Sequence, residues 1–276
     1  MASPSRAPPK PNPTSSNNAT IALPKPTDHW SFASLLADIL RLPPETIAMC
    51  FIYINRFTKY TRTATDAPKL DPHLNKPPQS QTLTLAALSL ATKTTESPRR
   101  LRALLLPAHR LLHAHTRAYV PLTLNSQTYA GLRRTVVAAE LLLLRVLRFD
   151  AHIPLPLDFL PRYLDRTVGE AGTADVDFDE WGRGEREEVG VCGFMETGVG
   201  RACRGVGVEA CKDYRFANLF DARTVAAAVV WVVLRGRGLE LGEGRAWVEE
   251  VAGGKVDGGD FEEAVGLLEG LRISTM

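Results

Sequence analysis

The sequence has few cysteines and no long apolar run. It contains four cysteines and no C-x-x-C pair, which argues against a disulfide-rich secreted miniprotein. The longest wholly apolar stretch, Val225 to Leu234, is ten residues long, whereas a membrane-spanning helix needs about twenty. The first thirty residues also lack the apolar core of a secretory signal. We therefore expect a soluble intracellular protein with reduced thiols.

The near-neutral total charge hides an asymmetry along the chain. The whole sequence carries 33 Lys and Arg against 31 Asp and Glu. Before Val168 there are 21 basic and 10 acidic residues, whereas from Val168 onward there are 12 basic and 21 acidic residues. Such a split predicts two unlike surfaces, of which the basic one suits an acidic partner.

The first half of the chain predicts five helices behind a disordered arm. Residues 1–27 are rich in Pro, Ser, Asn and Thr and cannot recover the entropy cost of ordering by burial. From residue 28 onward, apolar residues recur at helical spacing, with turn and cap signals between them. The predicted helices begin at Asp28 or Thr27, at Pro44, at Leu83, at Arg99 and at Ser126, with a loop over Thr61–Pro78. These features predict an all-α unit over residues 28–150.

The second half, residues 151–276, predicts five more helices and an acidic insert. The insert is rich in Gly and covers about residues 169–188. Each half has one helix that is apolar on nearly every side, at Leu83–Ala91 and at Val225–Leu234. Such a helix is expected to be surrounded by others. The pattern therefore indicates two tandem five-helix folds, the second more divergent than the first. The other predicted helices cover Leu155–Leu164, a face from Val199 to Tyr214, and two short closing segments around Trp247 and Phe261.

Several strings together resemble the cyclin box. In the first half these are Y-I-N-R-F at 53–57, L-T-L-A-A-L-S-L-A-T-K at 83–93, T-E-S-P-R-R-L-R at 95–102 and A-E-L-L-L-L-R-V-L-R-F-D at 139–150. In the second half, A-C-K-D-Y at 210–214 and A-R-T-V-A-A-A-V-V-W-V-V-L at 222–234 are similar to the second cyclin repeat. Among cyclins, the chain most resembles the cyclin Q group (also called cyclin M) and next the cyclin L group. Both are transcription-type cyclins.

This resemblance implies a regulatory subunit without catalytic residues or a cofactor of its own. Such a subunit binds a cyclin-dependent Ser/Thr kinase as a heterodimer and holds the αC helix of the kinase in its active position. A link to transcription by RNA polymerase II and a nuclear location, with the cytoplasm as a further possibility, follow from the same resemblance. The M-R-x-x-L-x-x-W substrate-docking pattern of cell-cycle cyclins is absent between His29 and Leu40, so docking through that patch is not expected.

The resemblance places the kinase-binding residues at Lys93 and Glu140. Independently of the family, Glu140 shares a helix face with apolar residues such as Val136, Leu143 and Leu147. A carboxylate in such a position requires a partner, because an unpaired buried charge costs several kcal/mol. Lys93 is one candidate partner, and Arg133 on the same helix is the other.

A second hypothesis is nucleic-acid binding. Tandem cyclin folds also form the core of TFIIB-like transcription factors, and arginines such as Arg145 and Arg148 could contact phosphates. The sequence lacks the paired-cysteine zinc ribbon of those factors, and its acidic half would be repelled by a duplex. Direct nucleic-acid binding is therefore the weaker prediction. The cluster His109, His113 and His115 has arginines around it that oppose a cation, so no metal site is predicted.

Overall fold

The computed structural model describes residues 28–63, 79–114, 119–171 and 194–275, which form helices and connecting turns without β-strands. The predicted all-α class is thus confirmed, while the predicted arm lies outside the described residues. The helices of the first half are α1 (His29–Leu40), α2 (Pro44–Thr63), α3 (Ser80–Thr94), α4 (Leu101–Leu112) and α5 (Gln127–Val146). Those of the second half are α6 (Leu160–Ala171), α7 (Gly198–Ala210), α8 (Tyr214–Asn218), α9 (Ala222–Arg235), α10 (Gly244–Ala252) and α11 (Gly258–Thr275).

Local sequence signals set where the first-half helices begin. The Asp28 carboxylate accepts hydrogen bonds from the amides of Trp30 and Ser31, so it caps α1 as predicted. Pro44 opens α2, where its missing N–H has no intrahelical role. The Ser126 hydroxyl accepts from the Tyr129 amide at 3.1 Å and caps α5.

One fully enclosed helix lies at the centre of each half. Every residue of α3 from Leu83 to Thr92 is buried, and α1, α2 and α5 pack around it. In the second half every residue of α9 from Thr224 to Leu234 is buried among α6, α7 and α11. Apolar side chains on all sides of a helix require such surroundings. The two halves therefore repeat one arrangement, as the tandem-fold prediction requires.

The two halves meet along α2. Asn55 is only 2% exposed, and its side-chain amide donates to the carbonyls of Cys211 and Lys212 at 2.9 and 3.2 Å. Lys59 donates to the Asn218 carbonyl at 3.3 Å. Since the backbone carbonyls between α7 and α8 have no helical partner, α2 supplies their donors and fixes the second half against the first.

Several predicted helix limits in the second half are wrong. The segment predicted as a helix from Leu155 begins with a 3-10 turn at Pro156–Asp158, and α6 then continues to Ala171. The helix thus includes residues 169–171 of the predicted insert, whose remainder lies outside the described residues. Tyr214 does not continue α7, because Asp213 caps a separate short helix, α8.

Two further expectations differ from the structure. The second half has six α-helices in the described part of the chain, since α8 adds to the predicted five, and α11, with 18 residues, is not short. Within the described residues, no helix is both long and apolar enough to cross a bilayer.

Three cysteines are buried as free thiols, Cys50 in the first half and Cys203 and Cys211 in the second. Burial raises the pKa of the Cys203 and Cys211 thiols to about 12, and it also raises the pKa of Cys50. Cys192 lies outside the described residues.

Candidate functional site

Lys93 and Glu140 form an ion pair at the edge of the α3–α5 contact. The Glu140 side chain is 11% exposed and the Lys93 side chain is 53% exposed. One Glu140 oxygen accepts from the Lys93 ammonium. The other accepts from the Ser89 hydroxyl at 3.1 Å. Because both carboxylate oxygens have donors, the charge is compensated at a nearly buried position.

Of the two partners weighed for Glu140, the structure selects Lys93. Arg133 is exposed on α5 and forms no ion pair with Glu140. Periodicity on α5 correctly predicted that Glu140 faces the core, since Val136, Leu143 and Leu147 beside it are buried. Ser89, the second donor, was not singled out, because a serine in an apolar helix carries no distinct sequence signal.

The end of α3 is fixed so that Lys93 stays beside Glu140. The chain turns at Glu96, whose φ is +53°, and the Ser97 amide donates back to the Thr92 carbonyl at 3.0 Å. The buried Thr46 hydroxyl lies 2.6 Å from the Thr95 hydroxyl and 2.9 Å from that of Ser97. These contacts tie the turn to α2. A cation in the last turn also complements the helix dipole.

Tyr53 of α2 also contacts the end of α3. Its hydroxyl donates to the Ala151 carbonyl and contacts the Thr94 hydroxyl at 3.0 Å. Burial raises the pKa of Tyr53 to about 12, so the ring remains neutral at physiological pH. Tyr53, Phe57 and Leu90 are buried in the core, and Leu101 is partly buried.

Exposed apolar side chains lie beside the ion pair on α5. Val137 is 43% exposed and Leu141 is 53% exposed. They lie three residues before and one residue after Glu140, and four residues apart, so they form one stripe along the helix. Their i, i+4 spacing next to Glu140 is visible in the sequence, although no site residue was predicted there. The site therefore combines a compensated charge pair with an apolar surface.

A second polar feature, the predicted histidine cluster, is arranged differently. His109 and His113 stack with ring centroids 4.2 Å apart. The His113 Nδ1 donates a hydrogen bond to the His109 carbonyl at 2.9 Å. His115 lies outside the described residues. Within the described part of the chain, no three side chains of the metal-ligating types come together.

Part of the chain is similar in sequence to known proteins. No family model matches the chain. Cyclin-L2 of Mus musculus and of Rattus norvegicus are each 30% identical over 127 residues, which is 46% of this chain and 22% of theirs. Cyclin-L1 of Gallus gallus is 30% identical over 127 residues, 46% of this chain and 21% of its own. The chain thus spans about a fifth of the length of these relatives.

A similar fold occurs in a solved structure. A chain in the crystal structure of the yeast RNA Pol II CTD kinase CTDK-1 complex matches with a TM-score of 0.56 and 13% identity, over 86% of this chain and 61% of that chain. At this identity the match concerns the fold alone. The finer resemblance to the cyclin Q group stays a prediction. This chain therefore resembles the cyclins in sequence and in fold, and the cyclins to which its sequence is similar belong to the L group.

Proposed function

We propose that the chain is the regulatory, non-catalytic subunit of a cyclin-dependent Ser/Thr kinase, and that it binds the kinase small lobe through the α3–α5 surface. In this proposal the surface holds the kinase αC helix inward, which brings its Glu to the β3 Lys. The observation that carries the proposal is the Lys93–Glu140 pair beside exposed Val137 and Leu141. The cyclin L relatives support it.

The ion pair suits a surface that a partner covers. A lone carboxylate next to exposed apolar side chains would become an uncompensated buried charge when covered, at a cost of several kcal/mol. Lys93 removes that cost in advance. An ammonium has three donors, so donors beyond the one used on Glu140 can meet backbone carbonyls of the partner. Val137 and Leu141 supply apolar area around this polar centre.

The required energy is within reach of such a surface. Shifting a kinase from about 1% to about 99% active requires about 5.5 kcal/mol of preferential binding to the active form. Apolar burial at about 25 cal/mol per Å² reaches that value with a modest area, although association itself consumes part of it.

The setting of this activity is also part of the proposal. We place the complex in the nucleus and link it to transcription by RNA polymerase II, because the fold neighbour lies in an RNA Pol II CTD kinase complex. We assign the kinase-binding repeat to residues 28–150 and the second repeat to 151–276. The boundary falls in the segment between α5 and α6.

Substitution of the ion pair tests the proposal. We expect Glu140→Ala or Lys93→Ala to weaken kinase binding by roughly 2 to 5 kcal/mol, as truncation of one member of a desolvated pair does. The kinase is first recovered from native extract with the tagged chain as bait and identified by mass spectrometry. Its affinity is then measured by calorimetry.

Arg133→Ala is the matched control, because Arg133 is an exposed cation on α5 outside the pair. Circular dichroism confirms that each variant keeps its helices. Unchanged kinase recovery by both folded pair variants would contradict the assignment, as would an equal loss with Arg133→Ala.

A further inference from the structure

A basic groove lies between the C-terminal half of α2 and the segment that follows α5. Its volume is about 790 Å³. Four cations line it, and the one carboxylate among its described lining residues is Asp150. Arg56 and Lys59 come from α2, Arg145 from the last turn of α5, and Arg148 from the turn after α5. The groove therefore carries a clear excess of positive charge.

Two of these arginines are available to a ligand. Arg56 and Arg148 are exposed, and neither guanidinium forms an ion pair or hydrogen bond with another residue in the described ranges. Lys59 bonds only to a neutral group, the Asn218 carbonyl at 3.3 Å. The charges of Arg56 and Arg148 are therefore unpaired within the described ranges.

The backbone presents Arg148 in an unusual conformation. Arg148 and Phe149 have φ values of +54° and +61°, in the left-handed region that residues other than glycine seldom occupy. The turn is held by bonds from the Phe149 amide to the Leu144 carbonyl at 2.8 Å and from the Arg148 amide to the Arg145 carbonyl at 3.0 Å. Strain of this kind is concentrated at functional sites.

The groove adjoins the proposed kinase surface along α5. Arg145 follows Leu141 of that surface by four residues, so it lies about one helical turn further along α5 on nearly the same face. Arg56 and Lys59 line the groove from the other helix, α2.

We propose that this groove binds a phosphorylated segment of a protein. The planar guanidinium forks of Arg56 and Arg148 suit bidentate contact with a phosphoryl group. Arginine clusters are the usual device for phosphopeptide recognition. Ile153 and Pro154 add an apolar wall for the flanking residues of the peptide.

The groove fits a polypeptide better than a nucleic acid. A nucleic-acid strand needs a basic track that extends along its backbone and aromatic rings on which bases stack. Among the described residues that line the groove, Tyr60 and the imidazole of His152 are the only aromatic rings, so the surface for stacking is small. The half of the sequence from Val168 onward has 12 basic and 21 acidic residues, which disfavours a longer polyanion.

In the cell, this groove would hold substrates that already carry phosphate close to the attached kinase. That role rests on the proposed function, whereas phosphopeptide binding by the chain itself does not.

Fluorescence anisotropy with the full chain tests the proposal in the absence of any kinase. The probes are a labelled Ser-Pro peptide with two phosphoserines, the same peptide without phosphate, and a single-stranded RNA of matched charge. We expect the phosphopeptide to bind about tenfold more tightly than its unphosphorylated form, and more weakly as salt is added.

A pair of double variants locates the binding. Arg56→Gln with Arg148→Gln is expected to lower phosphopeptide affinity about tenfold or more, which corresponds to about 1.4 kcal/mol. Arg133→Gln with Arg134→Gln removes the same charge from exposed positions on α5 outside the groove, and we expect it to change affinity less than about twofold.

Four results would overturn the proposal: equal binding of both peptides, tighter binding of the RNA, an equal loss in both double variants, or no binding at all. None of these results depends on whether the kinase binds at Glu140.

Discussion

Asn55 shows how much a single buried polar side chain can determine. It lies within α2, yet both hydrogens of its amide are used by carbonyls of the second half, those of Cys211 and Lys212. Within the first half, Ser89 and Thr46 perform comparable tasks for Glu140 and for the turn after α3. Each such residue satisfies groups that would otherwise be buried without partners.

Replacement of Asn55 by Leu is expected to destabilise the protein. The carbonyls of Cys211 and Lys212 would lose their donors, at a cost of about 1 to 3 kcal/mol. Urea unfolding of the wild type and the variant measures the free energy of unfolding. The control Asn125→Leu changes an exposed asparagine and should remain within about 0.5 kcal/mol. Equal effects of the two substitutions would contradict the role of Asn55.

His109 should make stability depend on pH. Burial, and then the nearby His113, lower the pKa of His109 from 6.5, and its buried Nδ1 has no partner. The unfolded chain then binds a proton at a higher pH than the folded chain. The free energy of unfolding is therefore unaffected by protonation of His109 above about pH 6.5. It decreases as the pH falls from there toward the lower pKa of His109 in the folded chain.

The histidine prediction is tested by Tm values at pH 7.5 and 5.5. We expect His109→Gln to have a smaller loss of Tm over this interval than the wild type, because the titrating group is gone. The exposed His152 provides the control His152→Gln. Identical pH dependence of the wild type and His109→Gln would refute the prediction.

The sequence predicted part of the candidate site for a physical reason. A helical period tells which face a residue occupies, so the apolar neighbours of Glu140 revealed that it points inward. Periodicity within one helix cannot tell which other helix lies opposite. Ser89 and the groove, which joins Arg56 to Arg148 across 92 positions of sequence, therefore required the three-dimensional structure.

At the level of the element, α7 depends on packing more than on intrinsic helix preference. It contains Gly205 and Gly207 in its second half, and each glycine weakens a helix by about 1 kcal/mol relative to alanine. The two positions differ in their surroundings. A Cβ on Gly205 would meet nothing within 4 Å, whereas a Cβ on Gly207 would lie 3.3 Å from a methyl group of Leu157.

We therefore expect two alanine substitutions in α7 to differ in their effect on the free energy of unfolding. Gly205→Ala should stabilise the protein by up to about 1 kcal/mol, because alanine has the higher helix propensity and its methyl group meets no neighbouring atom. Gly207→Ala should gain less or lose stability, since Leu157 must move. Thermal unfolding of both variants measures the difference. An equal gain in the two variants would show that the close approach at Gly207 has no energetic effect.

Helix limits were predicted best where one strong signal stood alone. Asp28, Pro44 and Ser126 each begin a helix as expected. The limits failed where a second signal lay within an apolar pattern, as with Pro156 before α6 and Asp213 before α8. The apolar spacing continued through these breaks because the separate helices face a common core.

On the scale of the whole molecule, α2 belongs structurally to both halves. It packs on α3 within the first half and on α7 and α8 of the second. This shared helix carries Asn55 and Lys59, which donate to carbonyls of the second half. It also carries Arg62, whose guanidinium carbon lies 4.7 Å from the centroid of the Tyr214 ring in α8. Separation of the halves would expose buried polar groups as well as apolar surface.

We accordingly expect the two halves to unfold together. Hydrogen exchange of peptides from α3 and α9, the two enclosed helices, should give opening free energies that agree within about 1 kcal/mol. Asn55→Leu should lower both values. If α9 opened at a clearly lower free energy than α3, and Asn55→Leu left α3 unchanged, the halves would be independent units.

The buried thiols can report when each half of the molecule opens. Only a thiolate reacts readily with an alkylating agent, and Cys50, Cys203 and Cys211 are shielded and hard to ionise in the folded chain. Alkylation at these positions therefore records the moment at which the surroundings of each sulfur open. Since Cys50 lies in α2 and Cys203 in α7, mass spectrometry of the modified peptides times the opening of each half in the unaltered protein.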